Sequence, residues 1–297
     1  MAFNVQTFKT RTLTAVLFTA VMLTGLLWNF WSFFMLFTVM HFGCWFEYLK
    51  LVEKIYVTKI DIVIKCFFAI CGFVLMIVIG EQHTTYDIWK EIGGYKISFK
   101  ISLWLILFTC LILFLFQNKQ IPAKAKWLSF AGLIYISLSL AALLYLYSIW
   151  NLNISDTYIL VNDGQLPLLI IFSIWINDTM AYLVGSFIGK TPLSKISPKK
   201  TWEGTLGGII LSISVIAIVI YSIFYLSVVI LICLAIIPAL CGIFGTIGDL
   251  FESKLKRMAN VKDSGSFMPG HGGFLDRFDS LLFAAPVVWV YVYFFLK

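Results

Sequence analysis

Charge is scarce in this chain. Asp, Glu, Lys and Arg make up 12% of its 297 residues, about half of the roughly 25% found in soluble domains. That deficit excludes an ordinary water-soluble globular domain. No Pro- or Ser-rich linker is present, which argues against independent modules on a string. No sustained heptad run and no clear repeat are present, which argues against a coiled coil or a solenoid. The six cysteines, Cys44, Cys66, Cys71, Cys110, Cys233 and Cys241, include no CxxC pair and all fall in or beside apolar segments. They read as small buried hydrophobes. No zinc-ligand spacing occurs, and no Ser-His-Asp arrangement can be argued. His41 and His83 carry no motif and are assigned no role.

What is abundant is oil. Hydrophobic residues make up 61% of the chain and the mean hydropathy is +0.94. The fold class is therefore an all-α polytopic integral membrane protein. A crossing helix needs about 20 apolar residues. Such stretches lie near 13–28, 30–46, 61–80, 101–117, 127–149, 166–188, 205–225, 227–248 and 280–296, nine in all. The first two also read as one helix broken at Asn29. The run 205–248 is too long for one span and divides near Tyr225. Eight and ten are the neighbouring counts. Lys9 and Arg11 before Leu13 resemble a signal sequence, but no convincing small-residue cleavage site follows, so an uncleaved first span is expected. The many aromatics suit lipid-facing walls and interfacial belts. The domain division expected is 1–126 for about four N-terminal spans and 127–297 for a catalytic core.

Loop charge sets orientation. With the N-terminus in the cytoplasm, the outer segments hold only Lys90, Lys96, Lys100 and Lys297, and the outer loop 150–165 holds Asp156 and Asp163. Lys65 lies near the inner end of the third span, from where it can snorkel. The other Lys and Arg residues fall on inner segments. The net charge of +7 raises nucleic acid as a partner, but basic residues spread over short loops serve membrane orientation. No nucleic acid is expected. The loops 189–204 and 249–279 both face the cytoplasm, where nucleotides are.

Eight charged side chains crowd into 253–279 between two apolar stretches. Ionisable groups at membrane depth cost several kcal/mol unless paired or solvated. Lys254, Lys256, Arg257 and Lys262 supply cations, and His271-Gly272-Gly273 suggests backbone held close to a ligand. Asp276 and Asp279 are spaced i, i+3 and share a face if helical. Asp249 stands at the mouth of the eighth span. Three carboxylates near one interface suit Mg²⁺, a hard cation that shares oxygen ligands with substrate phosphates. They equally suit pairing with Lys254, Lys256, Arg257 and Arg277, and the two uses are compatible. Asp178, inside the sixth span beside Asn177, reads as facing a bundle interior or a wet cavity, or as an interhelical anchor.

Two further stretches matter. Gly185-Ser-Phe-Ile-Gly189-Lys190-Thr191 suggests a P-loop but has three residues between the glycines where that loop has four, and it follows a membrane helix. Gly185 and Gly189 instead read as a small-xxx-small packing face, as do Gly204 with Gly208 and Gly242 with Gly245 and Gly248. Ser197-Pro-Lys-Lys-Thr-Trp-Glu-Gly204 reads as a helix start, with Ser197 as cap and Pro198 in the first turn. Lys199 and Lys200 beside that N-terminus make an anion site, or a positive-inside anchor.

Taken together these pieces resemble the phosphatidate cytidylyltransferase (CDP-diacylglycerol synthase) family. The stretch Ser253-x-x-Lys-Arg-x₄-Lys-Asp-x-Gly-x₃-Pro-x-His-Gly-Gly-x-x-Asp-Arg-x-Asp279 is similar to that family's signature at every fixed position. Asp178-Thr-x-Ala-Tyr182-x₂-Gly-x₃-Gly-Lys190 and the Ser197–Gly204 stretch resemble it too. The likeness covers roughly 175–280, and the first 125 residues share only their apolar spans. Asn177 departs from the small residue that many members carry there. The resemblance implies that CTP and phosphatidate give CDP-diacylglycerol and pyrophosphate for phospholipid biosynthesis. It implies Mg²⁺ with a K⁺ ion beside it, organised by Asp249, Asp276 and Asp279.

Lys256 and Arg257 join the three aspartates as the expected catalytic set. Lys199, Lys200, Lys254, Lys262, Asp263, His271, Gly272, Gly273, Arg277 and Asp178 are expected to line the substrates. The setting implied is the cell inner membrane, with the active site cytoplasmic and open both to water and sideways to lipid. A homodimer is compatible with it. Two rivals stand beside this reading. A CTP-dependent polyprenol kinase would move the terminal phosphate to an alcohol. A transporter would use Asp178 as an ion or proton site.

Overall fold

The computed structural model describes residues 5–80, 96–117, 120–149, 151–154, 157–161, 163–267 and 272–296. His271, His83, Lys90, Lys119, Asp156 and Lys297 lie outside the described residues. The helices are α1 (Val5–Leu27), α2 (Phe30–Tyr56), α3 (Ile62–Gly80), α4 (Lys96–Gln117), α5 (Ala123–Tyr147), α6 (Gln165–Ile188), α7 (Trp202–Phe224), α8 (Val228–Met258) and α9 (Leu275–Leu296). Each expected span falls on one of them. Six, namely α3 and α5 to α9, are long and apolar enough to cross a membrane; α1 and α4 contain shorter apolar helical stretches, Thr12–Leu27 and Leu103–Leu113. The protein is an all-α polytopic membrane protein. Its described strands are a four-residue antiparallel pair, β1 (Asn151–Ile154) and β2 (Thr157–Leu160), with Asn151 opposite Leu160.

The two ambiguous breaks are real and have local causes. Asn29 caps α2: its Oδ1 accepts from the Ser32 amide at 2.9 Å and its own amide donates to Ser32 Oγ at 3.1 Å. This reciprocal box satisfies donors that a helix start leaves orphaned. Tyr225 ends α7 in the left-handed region at φ 49. Two helices run well past their expected C-terminal ends. α2 continues to Tyr56 and α8 to Met258, ten residues past the expected ends at 46 and 248. Glu, Lys, Arg and Leu dominate both extensions and are good helix formers. Asp249, Lys254, Lys256 and Arg257 are therefore helical, not in a loop, and the connection to α9 runs only from 259 to 274.

The chain forms two compact units. Unit 1 is Met1–Leu144 with Leu255–Phe278, and unit 2 is Tyr145–Lys254 with Asp279–Lys297. The boundary expected at 126/127 falls inside unit 1. In unit 1, α2 packs against α1, α3 and α5, and α3 against α4. α2 buries Phe33, Phe37, Met40, Cys44 and Tyr48, a stripe at the three- and four-residue spacing of one helical face. A polar node on this helix is Trp45 Nε1, which donates to Ser137 Oγ at 2.9 Å and to His41 Nε2 at 3.2 Å. His41 is thus a core hydrogen-bond partner.

In unit 2, α6 and α7 lie together along a small-residue seam. A Cβ on Gly208 would stand 2.7 Å from Ala181 Cβ and 2.8 Å from the Asn177 carbonyl oxygen; one on Gly204 would stand 3.0 Å from Gly185 Cα. Ser212 Oγ donates across the seam to the Ser173 carbonyl at 3.1 Å. The small-xxx-small reading of these glycines holds. It displaces lipid with backbone contact that bulkier residues would forbid.

Candidate active site

Unit 2 gathers one set of motif residues. The loop between α6 and α7 is fixed by three backbone contacts: the Leu193 amide donates to the Lys200 carbonyl at 2.7 Å, the Trp202 amide to Thr191 at 3.0 Å, and the Lys200 amide to Ser197 at 3.1 Å. Thr201, not Ser197, caps the seventh helix, accepting from the Gly204 amide at 3.1 Å. The expected start at Ser197-Pro198 is corrected: that pair forms a turn, because the Lys200 amide closes back on Ser197 before helix geometry begins. Glu203 has the job that the loop needs. Its carboxylate accepts from the Lys190 and Thr191 amides, each at 3.2 Å, and so ties the exit of α6 to the first turn of α7.

That frame presents Lys200. Its Nζ pairs with Asp249 on α8, with both side chains less than a third exposed. Ser253 Oγ, one turn on, donates to the other Asp249 oxygen at 3.2 Å. Asp178 on α6 and Asp279 on α9 are electrostatic neighbours of Asp249, of Lys200 and of each other. α8 and α9 come together where Gly248 meets the Asp279 carbonyl, with no room for a Cβ between. Asn177 is 3% exposed. Its Nδ2 donates to Asp178 at 3.3 Å, and its buried Oδ1 has no hydrogen-bond partner among the described residues.

Unit 1 gathers the other set. Lys256 Nζ donates to Asp276 Oδ1 at 2.6 Å, with side chains 13% and 8% exposed. Asp276 Oδ2 accepts from the Ser264 amide and hydroxyl, both at 2.9 Å, and from the Gly273 amide at 2.8 Å. Gly272 takes φ +85, a conformation that glycine alone adopts without strain. A cavity of about 530 Å³ is lined by Lys50, Lys54, Glu47, Asp263 to Phe267 and Phe274.

The expected site residues therefore divide. Asp178, Lys200, Asp249 and Asp279 stand together in unit 2. Lys256, Asp276, Gly272 and Gly273 stand together in unit 1, and Asp263 lines that unit's cavity. Lys199, Lys254, Arg257, Lys262 and Arg277 are exposed, Arg257 reaching the Val261 carbonyl at 3.5 Å. Among the described residues no three His, Cys, Asp or Glu side chains are close enough to hold a metal ion as they stand. Sequence reasoning missed Glu47, whose Oε2 accepts from Ser264 Oγ and the Leu275 amide, both at 2.9 Å. Its one mark in the sequence is that Glu47 is the only carboxylate between Phe30 and Val52, and it stands just past the expected end of the span.

The donor chemistry, though not gathered into a metal-holding cluster among the described residues, is of the type that a hard divalent cation takes. Lys200 pairs with Asp249, and Asp178 and Asp279 are electrostatic neighbours of both, so among these groups carboxylates outnumber ammonium. The orphaned Asn177 oxygen beside Asp178 is a further neutral oxygen donor. Mg²⁺ takes this kind of ligand and completes its shell with water and substrate phosphate.

The profile of the Cytidylyltransferase family matches residues 9–295. The chain is similar to the phosphatidate cytidylyltransferase of Bacillus subtilis (strain 168), 49% identical over 120 residues, covering 39% of this chain and 43% of that one. It is similar to that of Thermotoga maritima, 43% identical over 133 residues, covering 41% and 47%. Phosphatidate cytidylyltransferase 4, chloroplastic, of Arabidopsis thaliana is 45% identical over 131 residues, covering 43% and 33%. The matched stretch spans a third to about half of the length of these curated relatives.

Proposed function

The chain belongs to the cytidylyltransferase family, and from that premise we propose that it transfers the cytidylyl group of CTP to phosphatidate. The lipid phosphate oxygen forms a bond to the α-phosphorus, the bond from that phosphorus to the bridging oxygen breaks, and pyrophosphate leaves. A phosphomonoester carries about −1.5 to −2 charge at neutral pH. Its oxygen is already a nucleophile, so no general base is required. What opposes the reaction is bringing one polyanion against another.

One observation carries this reading: Asp249 is ion-paired with Lys200 and has Asp178 and Asp279 as electrostatic neighbours. Such a set calls for added positive charge of the kind that a nucleotide triphosphate brings with its counter-ion. Asp249 and Asp279 would hold Mg²⁺, with Asp178 lining the same place; when bound, the ion neutralises phosphate charge and aligns the groups in line. The roles of Asp276 as a ligand and of K⁺ are carried by the family resemblance alone. Lys200, which pairs with Asp249, would be available to phosphate if that carboxylate held a cation instead. Lys256, steadied by Asp276, offers a second ammonium to phosphate. Loop charge supports a cytoplasmic N-terminus and active site, and the family resemblance the cell inner membrane.

Purified protein is incubated with phosphatidate, Mg²⁺ and CTP carrying label at either the α or the γ phosphate. The α label is expected in lipid and the γ label in pyrophosphate. Label from the γ position in lipid, with CDP released, overturns the reading in favour of a lipid kinase. Flux across liposomes without CTP turnover overturns it in favour of a transporter.

A further inference from the structure

Glu47 is a buried carboxylate that the reaction above does not use. It lies on α2, is 7% exposed and has no cationic partner among the described residues. Its donors come from the signature region, more than 200 positions along the chain. The Leu275 amide is the first of α9, one of the four N–H groups that a helix start leaves without an internal partner. A carboxylate there also meets the positive end of the helix dipole. Glu47 thus caps α9 from a different helix.

The loop closes on the same carboxylate from two further sides. A Cβ on Gly265 or on Gly273 would fall onto the Glu47 oxygens. Neither position accepts any side chain while Glu47 stays where it is. The Ser264 hydroxyl lies 2.9 Å from both Glu47 Oε2 and Asp276 Oδ2. It has one proton to give, so it links the two carboxylates and serves one at a time. Asp276 in turn holds Lys256. A chain of contacts runs from Glu47 through Ser264 and Asp276 to the Lys256 ammonium.

We propose that Glu47 is a positioning residue that fixes the Ser264–Gly265 and Gly272–Gly273 turns and the first turn of α9, and thereby sets where Asp276 and Lys256 stand. Its kinetic consequence rests on the cytidylyl-transfer reading, but its effect on the loop does not.

Glu47→Gln keeps the volume and one acceptor oxygen while removing the charge. Gly265→Ala approaches the same contact from the loop side. Each full-length variant is compared with wild type in phospholipid nanodiscs, by hydrogen exchange and by steady-state kinetics. Both variants are expected to exchange the Ser264 and Leu275 amides at least about tenfold faster. A misplaced catalytic group costs up to about 100-fold in rate, so kcat is expected to fall by about 10- to 100-fold while KM for CTP and phosphatidate moves less than about threefold. A residue that only fills space would leave the Gln variant unchanged. Loop exchange and kcat within twofold of wild type in Glu47→Gln overturns the proposal. So does faster exchange spread equally over α2, α3 and α5, which would mark general loosening. If wild type transfers no cytidylyl group, the proposed reaction falls, and the exchange comparison still decides whether Glu47 holds the loop.

Discussion

Asp276 has both carboxylate oxygens engaged: Oδ1 takes the Lys256 ammonium and Oδ2 takes three donors from Ser264 and Gly273. Asn at this position keeps the shape and one acceptor but frees a half-buried ammonium from its counter-charge. Asp276→Asn is expected to lower turnover by roughly 10²–10³-fold, the scale seen when one preorganised polar group is lost from an active site, with the thermal midpoint little changed. Activity near wild type would remove Asp276 from the machinery. Lys200 is different, because it neutralises a carboxylate set that carries excess negative charge. Lys200→Ala is expected to raise KM for CTP by about tenfold or more, since a charge-assisted phosphate contact contributes roughly 1.5–3 kcal/mol. An unchanged KM, measured at saturating Mg²⁺, contradicts phosphate contact by this lysine. These residues were legible in the sequence because charge inside an apolar chain demands a reason. Glu47 was not, because the expected span ended at residue 46 and left it to a loop. Nor was the division of labour between Asp276 and its neighbours Asp249 and Asp279, which depends on the donors that reach each oxygen.

Among the helices, hydropathy located the spans and missed their ends. Apolar character stops where lipid stops, whereas a helix stops where backbone geometry or a cap ends it. α8 outruns its apolar stretch by ten residues because Leu, Phe, Glu, Lys and Arg sustain it until Asn260, at φ 53. Breaks with chemistry of their own, Asn29 and Tyr225, were visible. The glycine spacings were visible too, and the structure lets them be ranked. A Cβ on Gly208 would meet backbone atoms of Asn177 and Ala181 at 2.8 and 2.9 Å, whereas one on Gly245 meets nothing nearer than Ser280 Cβ at 3.3 Å. Backbone cannot yield as a flexible side chain does. Gly208→Ala is therefore expected to destabilise the protein by about 1–3 kcal/mol, the usual cost of overpacking, and to lower its thermal midpoint in detergent. Gly245→Ala, which asks only the Ser280 side chain to give by a few tenths of an ångström, is expected to cost less than Gly208→Ala, by about 1 kcal/mol or more. Equal midpoints for the two variants would mean that the α6–α7 seam is looser than its contacts indicate.

For the molecule as a whole, the reaction requires that polar groups on several helices meet water on one side of the bilayer. That demand can be checked without activity, using unit 2 alone. α6, α7 and α8 are each long and apolar enough to cross, so the connections between them must alternate sides. Asp163 before α6 and Tyr225 between α7 and α8 are exposed, as are Lys195 between α6 and α7 and Lys254 near the end of α8. If all three helices cross, Asp163→Cys and Tyr225→Cys react with an impermeant maleimide from one side. Lys195→Cys and Lys254→Cys then react only from the other, above the background of the native cysteines. With the proposed orientation, in which the lysine-rich side is cytoplasmic, only the first pair is expected to label in intact cells. Labelling of Lys195→Cys from outside would place Lys200 and its carboxylates away from cytoplasmic nucleotide, and the proposed reaction would lose its substrate. Labelling of Tyr225→Cys and Lys254→Cys from one side would mean that α8 does not cross, and with it would fall the even alternation that brings Asp249 and Lys200 to the same face.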